Sequence, residues 1–489
     1  MTAATVANPN WPGLKMVHTP WAKWTCIFLI LVSLHFVAVF RGLGVAAMLM
    51  VAMGYITTLS SRELVRVAQA APLLAYPALA ILSSVWSEAP QLTLRLSIQL
   101  FLTAVIGLAI YRTAPFRTIV SAVFFAGLLA CVASILVQPD ALLGRSPLQG
   151  ITASKNMLAF IASTLALSAL SIMLYRGSGA KLRLAGFAGL TVAIVCLAAA
   201  QSAGALISTV AGCGIVLAVW LFQTSPVPVR AVLLLGALLL APIGMMAQPI
   251  LEKAADEFAQ DVLNKDTTTL TGRTYIWDRA HEFIHEKPVF GHGYGAFWRE
   301  GNVDAEGIWS AFGIAGKEGF NFHNQTLEAR VDMGIFGLGA LLLTLGLAGF
   351  TLVLRLLQGG SAELPFYIGI FASMVMKVPV ESVLMLQFTA LTIVFFMSAC
   401  AGVYGPQTAQ ALAGAAKPRT LRRVKLETGL RQQRQEPTRP KRSRSLMQMR
   451  AGPKLAPTRT KVRRARRALR QTRMEPTRPR RPTPEDVEP

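Results

Sequence analysis

The amino-acid sequence predicts an all-α protein, a polytopic integral membrane helical bundle of about twelve spans with one large, partly helical extracytoplasmic loop. Three observations support this prediction. Of the 489 residues, 53% are hydrophobic and only 15% are charged, which is less charge than a soluble domain carries. The apolar residues form runs of bilayer length. Polar residues gather instead between 249 and 328, which holds four of the six histidines, and beyond 405.

A span of the bilayer core needs roughly 20 apolar residues. The candidate runs lie near 24–40, 43–59, 68–86, 96–111, 117–137, 156–175, 184–200, 203–222, 230–248, 330–356, 364–378 and 384–404. The predicted organisation is an N-terminal segment 1–23, nine spans within 24–248, a loop 249–328, three spans within 329–404 and a tail 405–489.

Basic residues predict how the chain is oriented. The tail holds 24 Lys and Arg against 6 Asp and Glu, and its Pro- and Gln-rich composition predicts disorder. By the positive-inside rule we expect both termini in the cytoplasm and the loop in the periplasm of a bacterial inner membrane. The tail has almost no aromatic residues to stack on bases, so we expect anionic lipids or an acidic protein as its partner, and no nucleic acid.

The loop begins its polar motif with a predicted helix. Apolar residues after Arg273 recur at a spacing of three to four, which predicts a helix from near Thr274 to a point before Pro288. Arg273 and Trp277 then share one side of that helix.

Two further segments follow within the loop. The G-x-G-x-G spacing at 291–295 predicts a tight bend that approaches either a phosphate or the helix bundle. Residues 299–319 are glycine-rich and are expected to be mobile. His323 and Asn324 precede the next apolar run directly, so we expect them at the outer mouth of the bundle.

The motif HEFIH at 281–285 matches the zincin pattern, in which two histidines four apart on a helix bind zinc. Glu306 is an available third ligand. A membrane-embedded zinc protease needs this motif inside an apolar span, whereas its flanks here are polar. A zinc metalloprotease is therefore kept as an alternative function.

Several blocks between about 80 and 400 resemble the O-antigen ligase and polysaccharide polymerase superfamily of membrane glycosyltransferases. They are the WSEAP block at 86–90, Gly272-Arg273 with Trp277 and the glycine bend, and His323-Asn324 with the GIFG block at 334–337. Lys155-Asn156 and Val380-Glu381-Ser382 resemble the exopolysaccharide polymerase branch. Many relatives carry a Ser-Arg pair where this chain has QSAG at 201–204, without a cation.

The resemblance implies transfer of a glycan from undecaprenyl diphosphate to an acceptor hydroxyl. No acidic pair in the sequence is spaced convincingly for a metal, so we expect transfer without a metal or cofactor. Arg273 is the expected diphosphate ligand and His323 the expected base, because arginine binds phosphate bidentately and histidine titrates near neutrality. The expected substrate-binding residues are Arg95, Arg145, Lys155, Asn156, Trp277, Tyr294, Asn324 and Glu381. Other polysaccharide-assembly proteins are candidate partners.

Two other functions stay open. An O-antigen ligase that acts on a lipid A core differs from a polymerase only in its acceptor. A polysaccharide transporter also suits about twelve spans, but transporters usually have two similar halves, and no such repeat is evident in the sequence.

Overall fold

The structure, a computed structural model, describes residues 19–232, 268–317 and 320–405. All regular secondary structure in these ranges is helical, and they contain no strand, which confirms the all-α class. The predicted basic tail from 406 onward, residues 1–18 and most of the predicted span 230–248 lie outside the described residues.

The α-helices of the described ranges are numbered here in chain order. They are α1 (Pro20–His35), α2 (Val37–Phe40), α3 (Gly42–Thr57), α4 (Ser61–Ala68), α5 (Ala75–Leu82), α6 (Pro90–Thr113), α7 (Phe116–Val137), α8 (Lys155–Leu174), α9 (Ala180–Ala200), α10 (Ala203–Thr224), α11 (Thr268–Glu286), α12 (Val303–Ala311), α13 (Gln325–Leu357), α14 (Leu364–Val375) and α15 (Ala390–Tyr404). Short 3-10 segments lie at Ala71–Leu74, Ser83–Val85 and Pro139–Leu143.

Within the described ranges, six helices are long and apolar enough to cross a bilayer, namely α6 to α10 and α13. The pair α3 and α4, bent by 115° at its break, is a seventh candidate if it forms one span. Shorter apolar helices are α1, Ala71–Val85, α14 and α15. Every predicted run except 230–248 therefore overlaps a helix, although residues 384–389 of the last run are not helical, and the chain is a polytopic helical membrane protein. The total of about twelve spans remains a prediction.

Small residues bring the helices of the bundle close together. A Cβ added at Gly107 of α6 would lie 2.7 Å from the Ile393 carbonyl oxygen of α15. One added at Gly369 of α14 would lie 3.2 Å from the Gly212 carbonyl oxygen of α10. Close backbone approach of this kind provides the van der Waals packing that holds helices together in lipid.

The loop has an apolar core of its own, separate from that of the bundle. Its buried residues are Ile276, Ala280, Phe283, Ile284, Phe297, Ala305, Ile308, Trp309, Phe322, Leu327 and Val331. Part of the glycine-rich segment 299–319, which was expected to be mobile, forms the helix Val303–Ala311, and Trp309 on it is only 2% exposed. The buried face of α12 is therefore part of the apolar core of the loop.

The long helix α13 is kinked where the glycine bend meets it. Met333 and Gly334 have non-helical dihedral angles, and Gly334 has φ +60°. A Cβ at Gly334 would lie 2.2 Å from the Val289 carbonyl oxygen, and one at Gly291 would lie 2.6 Å from the Asp332 carbonyl oxygen. The glycine bend packs against helix α13 of the bundle, which is one of the two partners predicted for it.

Candidate functional site

The centre of the candidate site is the carboxylate of Glu381, in the segment between α14 and α15. Its Oε1 accepts hydrogen bonds from Arg273 Nη2 at 2.8 Å and from Asn156 Nδ2 at 3.2 Å. Its Oε2 lies 3.1 Å from His323 Nδ1. Three segments far apart in the sequence, at 156, 273 and 323, therefore meet on one buried side chain, which is 9% exposed.

His323 sits at the end of a short extended stretch before α13. Its φ is +49°, a conformation that is uncommon for residues other than glycine and that is enriched at functional sites. Its side chain is 27% exposed and that of Arg273 is 29% exposed. The imidazole and the guanidinium thus stay accessible while the carboxylate that joins them is buried.

Asn324 and Trp277 hold the backbone on either side of His323. Asn324 Oδ1 accepts from the backbone N–H groups of Thr326 and Leu327 at 3.0 and 3.2 Å, so it is the N-cap of α13. Trp277 Nε1 donates to the Phe322 carbonyl oxygen at 2.9 Å. Both were expected to bind substrate, and in the structure each makes a hydrogen bond to backbone next to His323.

Asn156 connects the cluster to the turn before α10. Its Oδ1 accepts from Ser202 Oγ at 2.9 Å, while its Nδ2 donates to Glu381. Ser202 belongs to the QSAG segment at 201–204, which carries no cation. The group that this segment contributes to the cluster is therefore a neutral hydroxyl.

The early WSEAP block contacts the glycine bend. Trp86 Nε1 donates to the Phe290 carbonyl oxygen at 2.8 Å, and the Glu88 carboxylate pairs with His292 Nδ1 at 2.7 Å and Lys287 Nζ at 2.5 Å. Partial burial opposes ionisation of Glu88, but the hydrogen bonds from Lys287 and His292 outweigh it and lower its pKa to about 2. Two blocks about 200 residues apart thus form one ionic clasp that fixes the loop to the bundle.

Three predicted cations do not join the cluster. Arg145 forms an ion pair with Asp140 at 3.5 Å in which both side chains are 69% exposed, and a surface pair of this kind contributes little stability. Arg95 is exposed and Lys155 is half-buried. Neither has a hydrogen bond or ion pair through its side chain to another described residue. Lys155 nevertheless adjoins Asn156 at the start of α8.

Tyr294, which was expected to bind substrate, and the neighbouring Trp298 make hydrogen bonds within the protein. Tyr294 is 4% exposed, and its hydroxyl donates to the Met385 carbonyl oxygen at 2.8 Å. Trp298 Nε1 donates to Glu328 Oε1 at 3.0 Å, and its ring packs on that of Phe322 with centroids 4.8 Å apart. The Tyr294 contact joins the loop to the α14–α15 segment, and the Trp298 contacts join it to the start of α13. The Tyr294 ring is buried, whereas Trp298 is partly exposed.

The buried Lys377 does not pair with Glu381, although it precedes it by four residues. Its Nζ donates to Ser373 Oγ at 2.8 Å and to the Ser373 carbonyl oxygen at 2.9 Å. The Glu381 carboxylate faces Arg273 and His323.

The alternative zinc site finds no support in the geometry. Among the residues that the structure describes, no three His, Cys, Asp or Glu side chains lie close enough to hold a metal ion. Glu306, the third ligand considered, pairs with Lys317 Nζ at 3.1 Å, and Glu282 pairs with Arg279.

Sequence reasoning missed two hydroxyls and one acid that support the cluster. Ser382 Oγ accepts from the Asn324 backbone N–H at 3.1 Å, and Glu328 Oε2 accepts from the Phe322 backbone N–H at 2.9 Å. The third group is the Ser202 hydroxyl, which donates to Asn156 Oδ1 at 2.9 Å. Ser382 and Glu328 lie within the family-like blocks, and their position beside the predicted residues was the available signal.

The arrangement combines a base with a fixed cation. A carboxylate only accepts hydrogen bonds, so the contact with Glu381 requires a proton on His323 Nδ1, and in the neutral imidazole Nε2 is then the acceptor. The guanidinium of Arg273 uses one of its five N–H donors on Glu381 and retains the others. Such a site can take a proton from a hydroxyl and hold an anion at the same time.

Comparison with known proteins agrees with the sequence blocks. Residues 188–342 match the O-antigen ligase family. The chain is also 33% identical over 288 residues to the exopolysaccharide production protein ExoQ of Rhizobium meliloti (strain 1021). That alignment covers 58% of this chain and 65% of the relative, so the chain spans slightly less than two thirds of that protein. The family segment includes Arg273 and His323, whereas Asn156 and Glu381 lie outside it.

Proposed function

Because residues 188–342 match the O-antigen ligase family and the chain is 33% identical over 288 residues to an exopolysaccharide production protein, we propose that it is a membrane glycosyltransferase. It polymerises or transfers oligosaccharide units carried on undecaprenyl diphosphate for surface or exopolysaccharide synthesis. The observation that carries the proposal is the convergence of His323 and Arg273 on the two oxygens of Glu381.

His323 is the general base. The acceptor sugar hydroxyl donates to His323 Nε2, and the Glu381 carboxylate keeps Nδ1 protonated and stabilises the imidazolium that forms. The positive φ of His323 and the bond from Trp277 to the preceding carbonyl support a fixed ring orientation. A base that is held in place loses little entropy in the transition state.

Arg273 binds the diphosphate of the donor lipid. A guanidinium pairs two phosphate oxygens at once, and its bond to Glu381 orients the remaining donors before substrate arrives. The same carboxylate thus positions both the base and the cation. Arginine supplies the positive charge that a metal ion supplies elsewhere, so we expect transfer without a metal.

The reaction is a direct displacement with inversion. The acceptor oxygen forms a bond to the anomeric carbon of the donor glycan as its proton moves to His323 Nε2. The bond from the anomeric carbon to the diphosphate oxygen breaks, and undecaprenyl diphosphate leaves with the electron pair. Arg273 stabilises the negative charge that develops on it.

The proposed setting follows from the predicted topology. The cluster lies on the periplasmic face, both termini are cytoplasmic, and the basic tail contacts anionic lipids. The acceptor is a glycan or lipid hydroxyl, and other assembly proteins of the polysaccharide are the expected partners. The 33% identical relative is named as an exopolysaccharide production protein, and the two branch-specific pieces at 155–156 and 380–382 touch through Asn156 and Glu381.

The second candidate is a ligase that attaches the glycan to a lipid A core. It is favoured by the match of residues 188–342 to the O-antigen ligase family. The two candidates predict different intermediates when the protein is absent. Single repeat units on the lipid carrier indicate a polymerase, and long chains on the carrier indicate a ligase.

The test is His323→Ala in cells that lack the native protein. We expect glycan extension to be abolished while the variant stays in the membrane at the normal level. His281→Ala is the matched control, because His281 is exposed on α11 and takes no part in the proposed reaction. We expect it to retain full activity.

Two results oppose this proposal. If His323→Ala makes as much product as the wild type, His323 is not the base. Loss of activity in His281→Ala together with one bound zinc per chain supports the metalloprotease alternative instead.

A further inference from the structure

A cavity lined partly by charged and polar residues lies at the end of the bundle opposite the Glu381 cluster. Its volume is about 260 Å³, and its walls come from α4, the turn between α6 and α7, the end of α8 and the start of α14. Helix α8 has Asn156 at one end and Tyr175 just past the other. Its 20 residues span about 30 Å, the thickness of the hydrocarbon core. The cavity therefore lies at the depth of lipid headgroups on the other surface.

The wall of this cavity contains hydroxyls that lack a hydrogen-bond partner among the described residues. Tyr367 is fully buried, and its ring is wedged between those of Tyr111 and Phe116 at centroid distances of 5.3 and 5.8 Å. Its hydroxyl and the Ser361 Oγ are both buried and unpaired within the ranges that the structure describes. A buried polar group without a partner is destabilising, so these atoms favour a polar ligand.

Charges of both signs line the same cavity without pairing with each other. Arg66 and Arg117 are exposed, and neither side chain has an ion pair with another described residue. Glu363 is 7% exposed and likewise has no hydrogen bond or ion pair through its carboxylate in the described part of the chain. Burial raises the pKa of Glu363 to about 7. A cationic ligand group beside the carboxylate would lower that pKa again.

We propose that this cavity binds the headgroup of a zwitterionic phospholipid, a phosphodiester that ends in a primary ammonium. The phosphate oxygens accept hydrogen bonds from Arg66 and Arg117 at the exposed rim. The ammonium reaches the buried wall, where the Glu363 carboxylate and the Tyr367 hydroxyl oxygen accept from it. A ligand with both charges satisfies both poles of the cavity, whereas a purely anionic one leaves Glu363 unpaired and opposes it.

The test measures lipid binding to the full chain in detergent, by native mass spectrometry, with added phosphatidylethanolamine or phosphatidylglycerol. We expect phosphatidylethanolamine to bind about tenfold more tightly or better, because a charge-assisted hydrogen bond to the ammonium is worth at least that factor. Soluble phosphoethanolamine is the competitor. If phosphoethanolamine displaces the lipid at concentrations similar to those at which the lipid binds, the ligand is the free phosphate ester. If it does not, the ligand is the lipid.

Three variants assign the interaction to the cavity. Glu363→Gln removes the preference between the two lipids, and Tyr367→Phe lowers phosphatidylethanolamine affinity a few-fold. The double variant Arg66→Ala/Arg117→Ala weakens both lipids. The matched control is Arg62→Ala, which lies on the same helix, is exposed and does not line the cavity. It should bind like the wild type.

Equal binding of the two lipids by the wild type overturns the proposal, and so does a preference that survives in Glu363→Gln. The measurement needs no glycan substrate, and His323→Ala should bind lipid normally. The headgroup site and the proposed transferase function can therefore fail separately.

Discussion

His323 Nδ1 lies 3.1 Å from Glu381 Oε2, across 58 residues of sequence. The same carboxylate holds Arg273 through its other oxygen at 2.8 Å. One buried side chain thus links a candidate base to a candidate phosphate ligand, and Trp277 and Asn324 make hydrogen bonds on either side of His323. The predictions below test these roles separately.

Glu381→Gln is expected to lower the turnover number by about 10²–10⁴-fold, because the amide no longer stabilises a protonated imidazole. Steady-state kinetics with a purified lipid-linked donor measure this loss. Glu381→Asp, which retains the carboxylate on a shorter side chain, should recover part of the activity. Equal rates in Gln and Asp variants would contradict an ionic role.

Trp277→Phe distinguishes two roles for this residue. The change removes the indole N–H that donates to the Phe322 carbonyl oxygen but keeps an aromatic face. If Trp277 positions His323, turnover should fall roughly tenfold, the equivalent of one hydrogen bond, with little change in KM. Full activity in the variant would instead favour sugar stacking, which phenylalanine preserves.

Gly334→Ala is expected to destabilise the kink at which the glycine bend meets α13. Its Cβ would lie 2.2 Å from the Val289 carbonyl oxygen, and its φ of +60° adds strain of about 1–3 kcal/mol. Thermal unfolding in detergent should show a lower midpoint. Gly339→Ala, on the same helix with nothing within 4 Å of the new Cβ, is the control and should be neutral or stabilising.

Glu88→Gln tests the ionic clasp through its pH dependence. The pKa of Glu88 is lowered from 4.5 to about 2 in the folded chain, so its ionised form contributes stability that is fully present above about pH 4.5. That contribution is lost as the pH falls through about 2. The midpoint of unfolding should be higher in the wild type than in Glu88→Gln at neutral pH, and the two should converge in acid. Glu300→Gln, an exposed neighbour, should follow the wild type throughout. A difference that does not change with pH would contradict an ionic origin.

Truncation after Gly405 tests the basic tail, whose net charge is +18. If the tail only contacts anionic lipids, glycan transfer in detergent should be unchanged, and less anionic lipid should copurify with the protein. Lipid extraction followed by mass spectrometry measures the second effect. An inactive truncated enzyme would show that the tail takes part in transfer.

Much of the organisation was predictable from the sequence because it depends on local composition. Runs of apolar residues predicted the helices of the bundle, and a spacing of three to four residues predicted helix α11, which ends at Glu286, before Pro288 as expected. The helix begins at Thr268, somewhat earlier than the predicted Thr274. Periodicity identifies the face and type of a helix better than its first turn.

The partners of each site residue were decided by tertiary packing. Residue chemistry marked Arg273 and His323 as capable, but only the folded chain brings Glu381 against them. Asn156 in turn bonds Glu381, and Ser202 bonds Asn156, from separate helices or turns. Nor does a sequence distinguish an aromatic ring that faces a ligand from one such as Tyr294 that is sealed in a core. Hydrophobic patterns are local, whereas hydrogen bonds between distant segments depend on how helices pack, and that geometry exists only once the bundle has formed.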